Sequence, residues 1–160
     1  MTDEQLLQQC ELRLLRRGGP GGQHRNKVET AVVLTHQPSG VSAEANERRS
    51  QADNRAVALF RLRCLLALHV RGELLANQPS SLWRERRVGN KIRVATAHEC
   101  FPSLLAELMD RLFALEFDLV RVALFFEVSP SQLVRFLRSY PPSLALVNQH
   151  RQQLGLHRLH

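Results

Sequence analysis

The chain has 160 residues, with 22 Lys plus Arg against 15 Asp plus Glu, for a formal charge of +7. At 44% hydrophobic and 23% charged residues the composition is that of an ordinary globular protein; it excludes a disordered or collagen-like chain and suits one compact domain or a small domain with an appendage. Excess Lys and Arg on a small surface create a field that attracts phosphates, so the expected partner is a polyanion, either nucleic acid or an anionic membrane surface.

The first residues, Met1-Thr2-Asp3-Glu4-Gln5, are acidic and polar, the opposite of a basic, then apolar, secretory signal, which sets the expectation of a cytoplasmic location. Residues 3 to 10 suit a short helix, and Glu11 to Arg17 read as a strand with Leu12 and Leu14 on one face. Gly18-Gly19-Pro20-Gly21-Gly22 stops that strand. Ala31 to His36 is β-branched and apolar, Val41 to Ala45 alternates with period two, and Gln37-Pro38-Ser39-Gly40 between them has the turn residues of a hairpin. Ser50-Gln51-Ala52-Asp53 suits a capping box. Ala52, Ala56, Leu59, Phe60, Leu62 and Leu66 then recur at helical spacing, predicting a long helix that ends by Gly72.

The composition changes at Asn77-Gln78-Pro79-Ser80-Ser81, after which Arg84, Arg86, Arg87, Lys91 and Arg93 form a basic segment. From Pro102 the pattern is helical: Leu104, Leu105, Leu108, Leu112 and Phe113, then Leu119, Val122, Ala123 and Phe126. Ser129-Pro130-Ser131-Gln132 opens a further helix with Leu133, Val134, Phe136 and Leu137 inward. Pro141-Pro142 starts the last helix, which Gly155 closes. The best apolar run, Phe113 to Phe126, carries Glu116, Asp118 and Arg121, so no membrane span is expected. Cys10, Cys64 and Cys100 lie far apart without Cys-x-x-Cys spacing and are expected to be reduced and buried. The seven histidines show no paired ligand spacing, so neither a metal site nor a cofactor is expected.

Chemistry concentrates in Arg16-Arg17-Gly18-Gly19-Pro20-Gly21-Gly22-Gln23-His24-Arg25-Asn26-Lys27. Glycines reach backbone torsions closed to other residues and allow close approach, so Gln23 can be pushed into a tight site. Arg16, Arg17, Arg25 and Lys27 can neutralise phosphates on either side. The Gly-Lys-Ser/Thr ending of a nucleotide-binding phosphate loop is absent. No nucleophile with a partner base falls in the loop; a reaction here relies on positioning, on backbone donors or on groups borrowed from the partner.

Gly-Gly-Pro-Gly-Gly-Gln-His-Arg-Asn-Lys, the hairpin, and then Glu47-Arg48-Arg49-Ser50-Gln51-Ala52-Asp53-Asn54-Arg55-Ala56 together resemble the catalytic domain of class-I peptide chain release factors and their short rescue relatives, over roughly residues 9 to 70. The second motif makes the resemblance specific. It implies an α+β fold with a small antiparallel sheet and a long helix, and hydrolysis of the ester of peptidyl-tRNA in the ribosomal peptidyl-transferase centre. It also implies catalytic roles for Gly21, Gly22 and Gln23: the glycine pair holds an unusual backbone, the Gln23 amide N–H helps stabilise the oxyanion, and its side chain excludes nucleophiles larger than water. Methylation of the Gln23 side chain by a methyltransferase partner is common in the family. The resemblance assigns Arg25, Asn26, Lys27 and Thr30 to RNA contact and loop support; Arg16 and Arg17, by their charge, and His24, beside Gln23, are expected in the same RNA-binding set. Arg49, Gln51 and Arg55 join that set through the second motif, whereas Ser50 and Asp53 read as helix-capping residues.

Full-length release factors place a codon-reading domain on both sides of the catalytic one, and only about ten residues precede the match here, so usual codon reading is not expected. The short relatives use a basic C-terminal tail; here the region after residue 100 is apolar and helical, and Leu156 to His160 is only mildly basic. Phe117 to Arg138 has the pattern of a helix-turn-helix without a glycine in the turn, and a docked helical bundle is the simpler reading. Arg135, Arg138 and Arg151 are a secondary contact hypothesis there. Trp83 reads as an anchor packed on a neighbouring domain. The expected organisation is a peptidyl-tRNA hydrolysis domain over 1–76, a basic linker over 77–96 offering a secondary ribosome contact through Arg84, Arg86, Arg87, Lys91 and Arg93, and a helical C-terminal module over 97–160. The expected protein is a monomer that rescues stalled ribosomes without reading a codon. A non-catalytic ribosome- or RNA-binding factor docking through its helical module is the alternative, and a DNA-binding regulator built on the C-terminal helices a third.

Overall fold

The computed structural model describes residues 2–16, 30–72 and 77–160. Two compact units divide the chain, Met1–Val70 and Arg71–His160. The architecture is α+β: a small antiparallel sheet and a long helix in the first unit, and mainly helices in the second.

The first unit opens with α1 (Asp3–Gln8), whose N-cap Thr2 and N3 residue Gln5 form a reciprocal capping box. Strands β1 (Cys10–Leu15), β2 (Ala31–His36) and β3 (Ser42–Ala45) follow in antiparallel order β1-β2-β3. The expected hairpin forms: His36 N–H donates to Val41 O at 2.8 Å, Gly40 N–H donates to His36 O at 2.8 Å, and Gly40 takes φ +70°, which only glycine adopts without strain. Buried His36 reaches Ser39 Oγ at 2.7 Å and Gln9 Oε1 at 3.0 Å through its two ring nitrogens, which ties the turn to the end of α1.

Helix α2 (Gln51–His69) packs on β2 and β3. Val32 pairs with Ala45 and Leu34 with Ala43, so large and small side chains alternate on the face that receives Ala58 and Leu62. The alanines let the helix lie close. Leu12 and Leu14 share this face, because they pair with Leu34 and Val32, but α2 packs on β2 and β3 and they stay 41% and 37% exposed. The helix is also phased differently from the expected stripe. Ala52 and Ala56 face solvent, while Asn54, Ala58 and Leu62 form the buried line. A polar side chain at its head hid that line from a hydrophobicity pattern.

In the second unit α3 (Ser81–Arg86) runs into a two-strand hairpin, β4 (Arg87–Val88) and β5 (Lys91–Ile92), so the segment 77–96 carries local structure of its own. Helices α4 (Phe101–Ala114), α5 (Leu119–Phe126), α6 (Pro130–Ser139) and α7 (Pro141–Gln153) follow at the expected places. Trp83 is 1% exposed and anchors this unit's own core, its ring 3.9 Å from that of Phe126 and 6.0 Å from that of Phe136. The turn between α5 and α6 uses Glu127 at φ +53°, a left-handed conformation normally given to glycine, and Arg87 pairs with that carboxylate at 2.6 Å. Glu107 accepts from the Ser80 amide at 2.8 Å and its hydroxyl at 2.6 Å. Asp110 accepts from Arg71 at 3.0 Å and from the Gly72 amide at 3.2 Å, and these bonds join the unit's first residues to α4. Burial moves both members of the Arg71–Asp110 pair toward their neutral forms, raising the carboxyl and lowering the guanidinium.

Cys64 and Cys100 are buried and Cys10 half-buried, all as free thiols. Burial pushes the Cys64 thiol up to about 11. Leu62→Ala and Trp83→Ala should each lower stability by about 2–5 kcal/mol, read as a fall in the urea midpoint followed by circular dichroism. Ala56→Ser, on the exposed line, should stay within about 0.5 kcal/mol of the parent.

Candidate functional site

Leu15 and Ala31 are direct partners at the end of the β1–β2 ladder. Their Cα atoms therefore sit about 5 Å apart, and the connecting segment leaves and rejoins the sheet at neighbouring positions. Gly21, Gly22 and Gln23, with Arg17, His24, Arg25, Asn26 and Lys27, belong to that connection and lie outside the described residues. What the structure does show is the platform from which the segment departs.

At its centre is Asn54, in the first turn of α2 and fully buried. Its amide nitrogen donates to Thr30 O at 2.6 Å and to Arg48 O at 2.9 Å, while its amide oxygen accepts from Arg48 N–H at 2.9 Å. One side chain thus holds three pieces of chain: the residue entering β2, the bend before α2, and α2 itself. Buried amides and carbonyls left unpaired are costly, so this arrangement fixes where Thr30 sits. Ser50 caps the same helix by accepting from the Asp53 backbone N–H at 3.4 Å. Arg61 ties the helix to β3, donating to Glu44 O at 2.7 Å and pairing with Glu47. Hydrogen bonding from Arg61 holds the Glu47 carboxyl below its ordinary range.

Among the expected RNA-contacting residues, Arg16 is exposed just past β1 and Thr30 is half-buried beneath the Asn54 amide. Arg49, Gln51 and Arg55 are exposed around the start of α2. The platform therefore has a fixed, apolar underside and a polar, cationic rim.

The expected basic segment separates into two groups. Arg86 Nη2 lies 3.1 Å from His98 Nε2, and Arg87 donates to Gly89 O at 3.1 Å and pairs with Glu127. Both are half-buried parts of the second unit's framework. Arg84, Lys91 and Arg93 are exposed. Arg151, named with Arg135 and Arg138, donates to Phe117 O at 2.6 Å and His157 O at 2.8 Å, closing the C-terminal turn. Asn54 matches the second motif, but pattern alone gives it no role beyond a helix-start residue; within Glu47 to Ala56 it is the one member of that motif whose side chain is buried and hydrogen-bonded to residues outside its own helix. Among the described residues there is no cluster of three His, Cys, Asp or Glu able to hold a metal, and no helix is long and apolar enough to cross a membrane.

The RF-1 domain model matches residues 6–99, more than half of the chain. The protein belongs to the RF-1 domain family. It is 50% identical over 56 residues to peptide chain release factor PrfB1, chloroplastic, of Arabidopsis thaliana, covering 35% of this chain and 12% of that protein. It is 38% identical over 85 residues to peptide chain release factor 2 of Treponema pallidum, covering 52% and 23%. To peptide chain release factor 1 of Chlorobaculum tepidum it is 55% identical over 51 residues, covering 32% and 14%. The match thus spans between 12% and 23% of the length of these relatives.

Asn54→Ala should cost about 2–4 kcal/mol, because three backbone groups lose their partner. Asn54→Asp sets a carboxylate against two carbonyl oxygens, which raises its pKa in the folded state. Its penalty is therefore full above that raised value and shrinks as pH falls toward the unfolded carboxylate value of about 3.9. Urea titrations of the two variants at several pH values check both statements; a gap between Asn54→Asp and wild type that is flat with pH would refute the clamp.

Proposed function

We propose that this protein hydrolyses the ester bond of peptidyl-tRNA in the ribosomal peptidyl-transferase centre, without reading a codon, and so releases peptides from stalled ribosomes. The observation that carries the reading is the clamped platform. Gly21-Gly22-Gln23 is inserted between strand ends held in register, within a span that matches the RF-1 domain.

The chemistry needs few groups from this chain. Gly21 and Gly22 can adopt torsions that aim the Gln23 amide N–H at the oxygen on which negative charge develops when water attacks the ester carbonyl. The Gln23 side chain beside that position limits the nucleophile to water. Attack forms the bond from water oxygen to the carbonyl carbon; collapse breaks the bond to the ribose oxygen, which leaves with a proton. Ribosomal RNA and the tRNA itself surround the reaction, and Arg16, Arg17, His24, Arg25, Asn26, Lys27, Thr30, Arg49, Gln51 and Arg55 hold their backbone phosphates or support the loop. In this reading the protein acts as a cytoplasmic monomer without cofactor, and Gln23 is a substrate for a methyltransferase. Similarity to proteins named as release factors supports the assignment of release activity.

The test is release of labelled peptide from purified ribosome–peptidyl-tRNA complexes, with and without mRNA beyond the P site. Wild type should release peptide from complexes lacking a stop codon. Gly22→Ala should slow release by about 10²–10³-fold, the usual cost of a misplaced oxyanion donor, and Gln23→Ala, which keeps the amide N–H and loses the side chain, should also lower it. Intact ribosome binding with no release by wild type would favour the non-catalytic factor; release only with a stop codon would refute rescue.

A further inference from the structure

We propose that the second unit carries its own binding groove for the phosphate backbone of RNA, formed by β5 and one face of α6. A cavity of about 410 Å³ opens there, lined by Lys91, Ile92, Arg93, Val94, Gln132, Arg135, Phe136 and Ser139. The wall residues of α6 fall at positions 132, 135, 136 and 139, the spacing of a single helical face, and β5 packs on that helix. Strand and helix thus bring Lys91 and Arg93 together with Arg135, which is far from them in the sequence.

The lining is built for an anion. Lys91, Arg93 and Arg135 are exposed, and no carboxylate lines the cavity among the described residues. The segment's other half-buried cations, Arg86 and Arg87, are occupied with His98, Gly89 and Glu127. That division leaves Lys91 and Arg93 facing the opening while their neighbours hold the hairpin in place. Gln132 and Ser139 supply neutral donors at the two ends of the helical face. Two guanidinium groups with several fixed donors each suit phosphodiester oxygens better than a point charge would. Phe136 is buried at the floor, stacked on Phe101 at 5.0 Å, so the floor does not shift with the occupant. A cavity with cations from both the strand and the helix fits phosphates, and the net charge of +7 favours their approach.

The choice of RNA among polyanions rests on the proposed function, in which the protein works against ribosomal RNA and tRNA. The groove itself is tested apart from hydrolysis: binding is measured without ribosomes and without release.

The experiment is fluorescence anisotropy of the full-length protein with a labelled RNA hairpin across a salt series. Arg93→Gln/Arg135→Gln should weaken binding roughly tenfold at low salt and make the slope of log K against log salt shallower by about 0.7–0.9 for each lost phosphate contact. Adding Lys91→Gln should lower it again. Arg121→Gln/Arg158→Gln removes the same charge from exposed positions away from the groove and should leave the slope nearly unchanged. Equal losses in the two double variants would reduce the effect to net charge and overturn the proposal, as would unchanged binding in the groove variant. A polyglutamate peptide that displaces the hairpin at equal charge would overturn the choice of RNA. Circular dichroism of each variant confirms that it is folded.

Discussion

The buried amide of Asn54 is the constraint on which the first unit's geometry turns. An α-helix leaves its first N–H groups unpaired and a strand entering a sheet leaves its preceding carbonyl unpaired. Capping by Ser50 satisfies part of the first need; Asn54 meets the second, and adds the bend at Arg48. Because its partners are backbone atoms, the requirement is for an amide of that size carrying both a donor and an acceptor. Aspartate offers the wrong charge and leucine no hydrogen bond. The small side chains that follow, Ala58 on the helix and Ala43 and Ala45 on β3, bring α2 close enough to the sheet for that amide to reach Thr30. Packing and polar satisfaction thus depend on each other.

The hairpin, the long helix and the C-terminal helices were legible in the sequence because each is specified locally. Turn residues sit between alternating strands, Ser50 precedes a periodic stretch, and prolines open α6 and α7. The candidate catalytic residues were legible through a motif resemblance. What resisted reading was set by tertiary context. Asn54 looks like a surface residue near a helix start, and only the position of Thr30 shows otherwise. Leu12 and Leu14 fall on one face by alternation, yet α2 packs on β2 and β3 and leaves that face of β1 partly exposed. The cations after Ser81 look like one basic run; Glu127 and His98, distant in sequence, decide that Arg87 and Arg86 are structural. Trp83 was readable as an anchor, but not which core it would join.

The span that matches the family and the units that pack are not the same. The RF-1 match runs to residue 99, whereas the first compact unit ends at Val70. Between those points lie α3 and the β4–β5 hairpin, whose environment comes from residues beyond the match. Trp83 is covered by Phe126 and Phe136, Arg87 by Glu127, and Ser80 by Glu107. A chain cut at residue 99 would leave a large indole and the half-buried Arg87 guanidinium without those partners, and apolar surface of that size is strongly destabilising to expose. The helices from α4 onward are therefore what lets this stretch of the family sequence fold here. The same packing sets β5 beside α6 and places Lys91 and Arg93 opposite Arg135. A groove wall drawn from the family span and another drawn from the helical module make cation placement a direct product of that core: whatever loosens Phe136 against Trp83 and Phe101 also moves Arg135 relative to the strand.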